Sequence, residues 1–114
     1  MTMKNKQNFL DLIPIKNPDF LWGENQDGLV TVTMLHTGFF DRIAQDIFHK
    51  PPYSRIDLDI YGSFIWKQID GDRSVHAIAM LFRDAFGEEA EPLFPRIVQF
   101  FGILKTQRFI SWKK

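Results

Sequence analysis

The stretch Leu58-Asp59-Ile60-Tyr61-Gly62-Ser63-Phe64-Ile65-Trp66-Lys67-Gln68-Ile69-Asp70-Gly71-Asp72-Arg73-Ser74-Val75 leaves this chain few folding choices. Asp59 is a strong helix N-cap, because its carboxylate can accept an orphan amide hydrogen in the first turn. Ile60, Tyr61, Phe64, Ile65 and Ile69 then recur at the spacings of one buried helix face. Asp70-Gly71 ends the run, since glycine takes backbone angles that other residues resist. Ser74 caps the next helix, and Val75, Ile78, Ala79 and Phe82 give it an apolar stripe. Two helices joined by so short a turn must pack at an angle, and the rest of the chain has to be built around that corner.

Upstream the periodicity is two. Asp19 to Glu24 reads as a strand with Phe20 and Trp22 on one face, and Asn25-Gln26-Asp27-Gly28 as a hairpin turn. Leu29 to Leu35 alternates clearly, with Val30, Val32 and Met34 on one face and Thr31 and Thr33 on the other. Gly38 to Phe48 switches to a helical period and is stopped by Lys50-Pro51-Pro52. Tyr53 to Leu58 returns to alternation, with Ile56 and Leu58 inward and Arg55 and Asp57 outward. Before all of this, residues 1–18 form an N-terminal arm: a polar start, then apolar residues from Phe9 to Ile15, read as a short helical turn stopped by Pro14 or as a docking arm.

Downstream, Phe86-Gly87 is a helix stop, and Glu88 to Pro92 is an acidic lead-in suited to the next helix dipole. The final helix is expected from about Glu91 to Thr106, with Leu93, Ile97, Phe100 and Leu104 as its core stripe. Beside that stripe Phe94, Val98, Phe101 and Lys105 form a shoulder. The shoulder either lines a peptide groove or is covered by the inserted helix or the arm. Phe109 to Trp112 adds a short strand or packs as irregular chain.

The order predicts an α+β, winged-helix-like fold: a small antiparallel three-stranded sheet followed by three helices, with an extra helix inserted between strands 2 and 3. The 114 residues make one domain, about 19–114, after the arm. With 14 basic and 14 acidic residues the net charge is zero, which disfavours a nucleic-acid binder. No cysteine means no disulfide, thiolate metal site or thiol nucleophile, as suits a cytoplasmic protein. No run is long and apolar enough for a membrane span or a signal peptide.

Catalytic constellations are not visible. His36, His49 and His76 lack metal-ligand spacing. Asp70-Gly71-Asp72 reads as a turn, because the other ligands of a calcium loop are missing. Asp57 and Asp59 could be imagined as an acid–base pair, but a solvated edge residue and a helix cap explain them better. Ser63 has no histidine partner nearby in sequence, and Gly62-Ser63 inside a helix reads as a packing notch.

The segment Leu58-Asp59…Phe64-Ile65-Trp66…Ile69-Asp70-Gly71…Arg73-Ser74-Val75…Ile78, with Phe86-Gly87, Leu93 to Leu104 and Phe109-Ile110 after it, resembles the PqqD family. The resemblance covers about Asp19 to Ile110. It implies a non-catalytic adaptor with no cofactor, which binds the leader of a ribosomally made precursor peptide. Such an adaptor hands the leader to a modifying enzyme, often a radical S-adenosylmethionine protein, as in pyrroloquinoline quinone (PQQ) synthesis. It further implies backbone pairing at Ser54, Arg55, Ile56, Asp57 and Leu58, and side-chain pockets at Phe94, Val98, Phe101 and Lys105. The inserted helix and the arm depart from compact members. The alternatives are a winged-helix nucleic-acid binder, which needs a basic face that scattered Arg73, Arg83, Arg96, Lys105 and Arg108 do not make, a small enzyme, and a structural subunit forming a homodimer.

Overall fold

The computed structural model describes residues 9–35 and 53–114 of the chain. The expected inserted helix Gly38–Phe48, like His36 and His49, lies outside the described residues. What is described is α+β, with two small antiparallel sheets and helices packed against them.

The larger sheet has the order β2-β3-β4, with β2 at Phe20–Glu24, β3 at Val30–Leu35 and β4 at Tyr53–Asp57. The β2–β3 hairpin turns where the sequence indicates. The Asn25 side chain accepts from the amides of Asp27 (2.8 Å) and Leu29 (3.0 Å), and Gly28 takes φ of 81°. One sheet face turns inward: Phe20, Val30, Val32 and Leu58 are buried, and Ile56 packs against them. Trp22 lies on that face but near its rim, edge-on to Trp66 at 6.3 Å, with the Lys16 ammonium 4.3 Å above its ring.

The smaller sheet pairs β1 (Pro14–Lys16) with β5 (Ile110–Trp112). The stretch expected as an arm is therefore partly a strand. Residues 9–11 do make a helical turn, and Pro14 follows it as the first residue of β1. The amide of Val75 donates to Leu12 O (2.8 Å) and that of Lys113 to Ile13 O (2.8 Å), so this segment joins both the helical corner and the C-terminus. The sequence pattern could not announce β1, because a three-residue strand is too short for alternation to register.

The helices are α1 (Ile60–Lys67), α2 (Val75–Phe86) and α3 (Leu93–Thr106), with a single-turn 3₁₀ helix at Gly87–Ala90. The caps are those expected: Asp59 accepts from the Gly62 amide (2.8 Å) and Ser74 from the Ala77 amide (3.0 Å). In the turn between them Asp70 accepts from the amides of Asp72 (2.9 Å) and Arg73 (2.8 Å), while Gly71 takes φ of 85°. These amide donors hold the Asp70 carboxyl below the usual carboxylate range. The α2 stripe of Val75, Ile78, Ala79 and Phe82 is fully buried, as its spacing predicts.

Two expectations of helix facing need correction. In α1 the buried residues are Gly62, Ser63, Ile65 and Trp66, with Ile69 just beyond, while Ile60 is 52% exposed. The buried face takes in the small residues because Ser63 bonds to Val30 of β3 and the Phe100 ring of α3 lies against Gly62. In α3 the stripe runs Leu93, Ile97, Phe101 and Leu104, with Phe100 only partly buried. Three of the four expected stripe residues, Leu93, Ile97 and Leu104, are buried as read, and only Phe101 takes the place expected for Phe100; the helix begins at Leu93 with Pro92 as its N-cap.

Candidate functional site

The site is built where β4 runs into α1. Antiparallel pairs alternate between residues that exchange hydrogen bonds and residues that turn their amides and carbonyls away. Leu58 donates its amide to Val30 O (2.9 Å), and the register Thr31↔Asp57, Val32↔Ile56, Thr33↔Arg55 follows from there. Leu58, Ile56 and Ser54 therefore spend their backbone groups on β3. Asp57, Arg55 and Tyr53 turn theirs away from it. Among the described residues β4 is the end strand of the sheet, with β3 on one side and no strand on the other. Of the five residues Ser54 to Leu58 expected to pair with a peptide, Ser54, Ile56 and Leu58 direct their backbone to β3 instead.

The last rung between β3 and β4 is made by a side chain. The Ser63 hydroxyl accepts from the Val30 amide (2.8 Å) and donates to Leu58 O (3.3 Å). It stands where Leu58 O would otherwise meet Val30 directly, because the chain at Leu58 is already peeling away into α1. Ser63 is 1% exposed, so losing the hydroxyl would strand two backbone groups in the core. The packing notch of the sequence is thus a joint that fixes the end of β4 to the helical layer.

On the outer sheet face the Arg55 guanidinium donates to both Asp57 carboxylate oxygens (3.1 and 3.3 Å), and the Thr31 hydroxyl donates to one of them (2.8 Å). The Arg55 hydrogen bond, then that of Thr31, holds the Asp57 carboxyl below its ordinary pKa. Asp57 is thereby fixed as a carboxylate and is no candidate for general acid work.

The inner flank of the site comes from α3. A Cβ on Gly62 would stand 3.1 Å from Phe100 Cε1 and 3.5 Å from Leu58 Cβ, so the Phe100 ring lies against the β4–α1 junction. Residues on α3 are about 100° apart, which puts Arg96, Phe100 and Ile103 on one side of its buried stripe and Phe94, Val98 and Lys105 on the other. Ile103 is 47% exposed. A cavity of about 130 Å³ sits at this junction, lined by Gly62, Ile65, Phe82 and Phe100 together with the polar Asp59, Tyr61 and Arg96. Two of the polar residues share Glu89: Tyr61 donates its hydroxyl to a Glu89 carboxylate oxygen (3.0 Å), and Arg96 donates to the Glu89 carbonyl. The Arg96 guanidinium also lies 4.9 Å from the Tyr61 ring centre. Glu89 pushes the Tyr61 pKa up, so this phenol keeps its proton.

The expected side-chain set does not assemble. Phe101 is 0% exposed, in ring contact with Phe100 (5.8 Å) and Trp112 (6.5 Å), and is core rather than a pocket wall. Phe94 (38% exposed) stacks on His76 of α2 at 6.1 Å, away from the Gly62 junction. Val98 (41% exposed) and Lys105 share that far shoulder. Sequence reasoning placed Phe100 in the core stripe and missed it as a neighbour of Gly62 at the β4–α1 junction. The signal that could have found it is Gly62, whose missing side chain marks where α3 comes closest.

Among the described residues no group of His, Asp and Glu could hold a metal ion, and no helix is long and apolar enough to cross a membrane. No curated protein and no solved structure matches the chain. The family model of coenzyme PQQ synthesis protein D matches residues 52–110, which runs from the start of β4 through the three helices to β5. That match spans more than half of the 114 residues. The chain therefore belongs to the PqqD family, whose members are associated with the biosynthesis of PQQ and of other products made from ribosomal peptides.

Proposed function

We propose that this protein is a non-catalytic adaptor that binds the leader of a precursor peptide as an added strand along β4 and presents it to a modifying enzyme. The observation that carries this reading is that β4 is the end strand of its sheet among the described residues, with Asp57 turning its backbone away from β3 and the Phe100 ring of α3 at the β4–α1 junction. Family membership supports peptide and enzyme as the two partners. A radical S-adenosylmethionine enzyme is the partner class this reading takes, and the sheet with its three helices serves as a winged-helix-like frame.

Magnitudes say which part of the site must carry selectivity. Each backbone hydrogen bond is worth about 0.5–1.5 kcal/mol net, so roughly four of them contribute about 2–6 kcal/mol. Micromolar affinity needs about 8 kcal/mol. Each large aliphatic side chain buried from water adds about 1.5–3 kcal/mol, so one or two seated on the α3 flank close the gap. Backbone pairing aligns the guest, and the apolar flank chooses it.

The test is an N-methyl scan of a binding peptide. Methylating every second amide should abolish binding, because those amides face β4, while methylating the intervening ones should change affinity by less than about threefold. A flat scan, or losses without alternation, would show that the peptide does not bind as a strand.

A further inference from the structure

We infer that β4 also pairs with the β4 of a second copy of this chain, antiparallel and two-fold about Ile56, in a dimer that closes the edge a peptide would use. Among the described residues β4 has β3 on one side and no strand on the other, and Arg55 and Asp57 turn their backbone groups toward that other side. Edges of one sequence are templates for each other. Antiparallel pairing sets outward residues opposite outward residues, so the axis can fall at Ser54, Arg55, Ile56 or Asp57, and charge decides among these. At Arg55 the axis sets that cation against its own copy, and at Asp57 that carboxylate, and like charges directly opposite are destabilising. At Ser54 it sets Arg55 against the partner's Tyr53, with no charge complement. Only at Ile56 does Arg55 meet the partner's Asp57 and Asp57 the partner's Arg55.

That register is complementary in backbone, charge and packing. Arg55 and the partner's Asp57 exchange both of their backbone hydrogen bonds, and the two-fold repeats the exchange. Arg55 and Asp57 are exposed on the outer sheet face and already joined along the strand at 3.1 Å. Pairing lays two such couples head to tail, so each charge keeps its opposite along the strand and gains another across it. Ile56, half-buried on the inner face, meets its own copy across the axis at the close, non-hydrogen-bonded position. With 14 basic and 14 acidic residues, no net charge drives the copies apart. A contact of so few residues is small and therefore weak, which leaves it displaceable by a guest that pairs over a longer stretch. This competition rests on the strand-addition reading; the pairing of copies does not.

The experiment is sedimentation velocity on the full chain. Wild type should be mostly dimer at about 0.5 mM and mostly monomer at about 10 µM, as suits a weak edge contact. Arg55→Asp and Asp57→Arg should each be monomeric at the higher concentration, because each sets like charges opposite. Their equimolar mixture should sediment as dimer again, since every facing pair is then opposite in charge. Mixing would not rescue a role for Arg55 and Asp57 confined to their own strand. Should a variant fail to fold, the wild type decides alone: raising its concentration should move the Arg55 and Asp57 amide resonances and leave that of Trp22 on β2 unmoved. An excess of the synthetic peptide Tyr53-Ser54-Arg55-Ile56-Asp57-Leu58-Asp59 should convert the dimer to monomer. A wild type monomeric at the higher concentration, variants that dimerise as wild type does, or a mixture that stays monomeric would overturn the dimer and leave strand addition standing. A rescued dimer that takes up the peptide without dissociating would overturn the competition, and strand addition along β4 with it.

Discussion

The two shoulders of α3 carry similar apolar residues and do different things. Phe94 and Val98 lie on one side, where Phe94 stacks on His76 of α2 and Val98 is largely exposed. Phe100 and Ile103 lie on the side that reaches the β4–α1 junction. Nothing intrinsic to phenylalanine or valine separates them. What separates them is the neighbour each meets: the Phe100 ring lies against Gly62 of α1, while Phe94 lies on His76 of α2. A docking surface is assigned by the neighbour that a helix face meets, and not by the apolar content of the helix itself.

The largest effect should come from the residue between the shoulders. Phe101→Ala should cost about 3–5 kcal/mol of stability in urea unfolding, as truncating a fully buried aromatic does. A loss below 1 kcal/mol would mean that the stripe is misassigned and the shoulders with it. Next, Ser63→Ala should cost about 1–3 kcal/mol, because the Val30 amide and the Leu58 carbonyl lose their shared partner. It should also loosen hydrogen exchange at Val30, which a purely packing role for Ser63 would leave unchanged.

A smaller effect separates the shoulders directly. Phe100→Ala should weaken peptide binding about tenfold, equal to about 1.4 kcal/mol, while Phe94→Ala should change it less than about twofold. The reverse ranking by isothermal titration would return the groove to the far shoulder. Smallest is the acid response of the β4 edge. Asp57 has a folded pKa below its unfolded value near 3.9. Its pairing with Arg55 and Thr31 therefore contributes in full above about pH 4 and fades as pH falls through the folded pKa. A carboxyl ¹³C titration of wild type against Thr31→Val should show the Asp57 midpoint rise in the variant.

Much of the fold was legible because local chemistry decides it. Asp59, Ser74 and the Asp70-Gly71 turn fix helix ends through side chain to amide contacts that span at most three residues. The buried α2 stripe was readable because one face of α2 meets one core. The α1 face was not, because α1 is squeezed from two sides and its buried surface is carried partly by Gly62 and Ser63, which an apolar count ignores. The strand β1 was hidden because its partner lies almost a full chain length away, at Ile110–Trp112. For the site, the β4 edge followed from alternation, but its outward residues depended on register, which is set by pairing with β3. The side-chain half failed at Phe101 because adjacent Phe100 and Phe101 flank the same stripe about 100° apart, and spacing alone does not say which ring enters the core.

Amide hydrogen exchange at two adjacent residues tests the account most directly. In the free protein the Ile56 amide, bonded to β3, should exchange slowly, and binding should leave it little changed. The Asp57 amide should slow at least tenfold when a peptide binds, because the added strand covers it. Unchanged exchange at Asp57 with a peptide demonstrably bound would contradict the account.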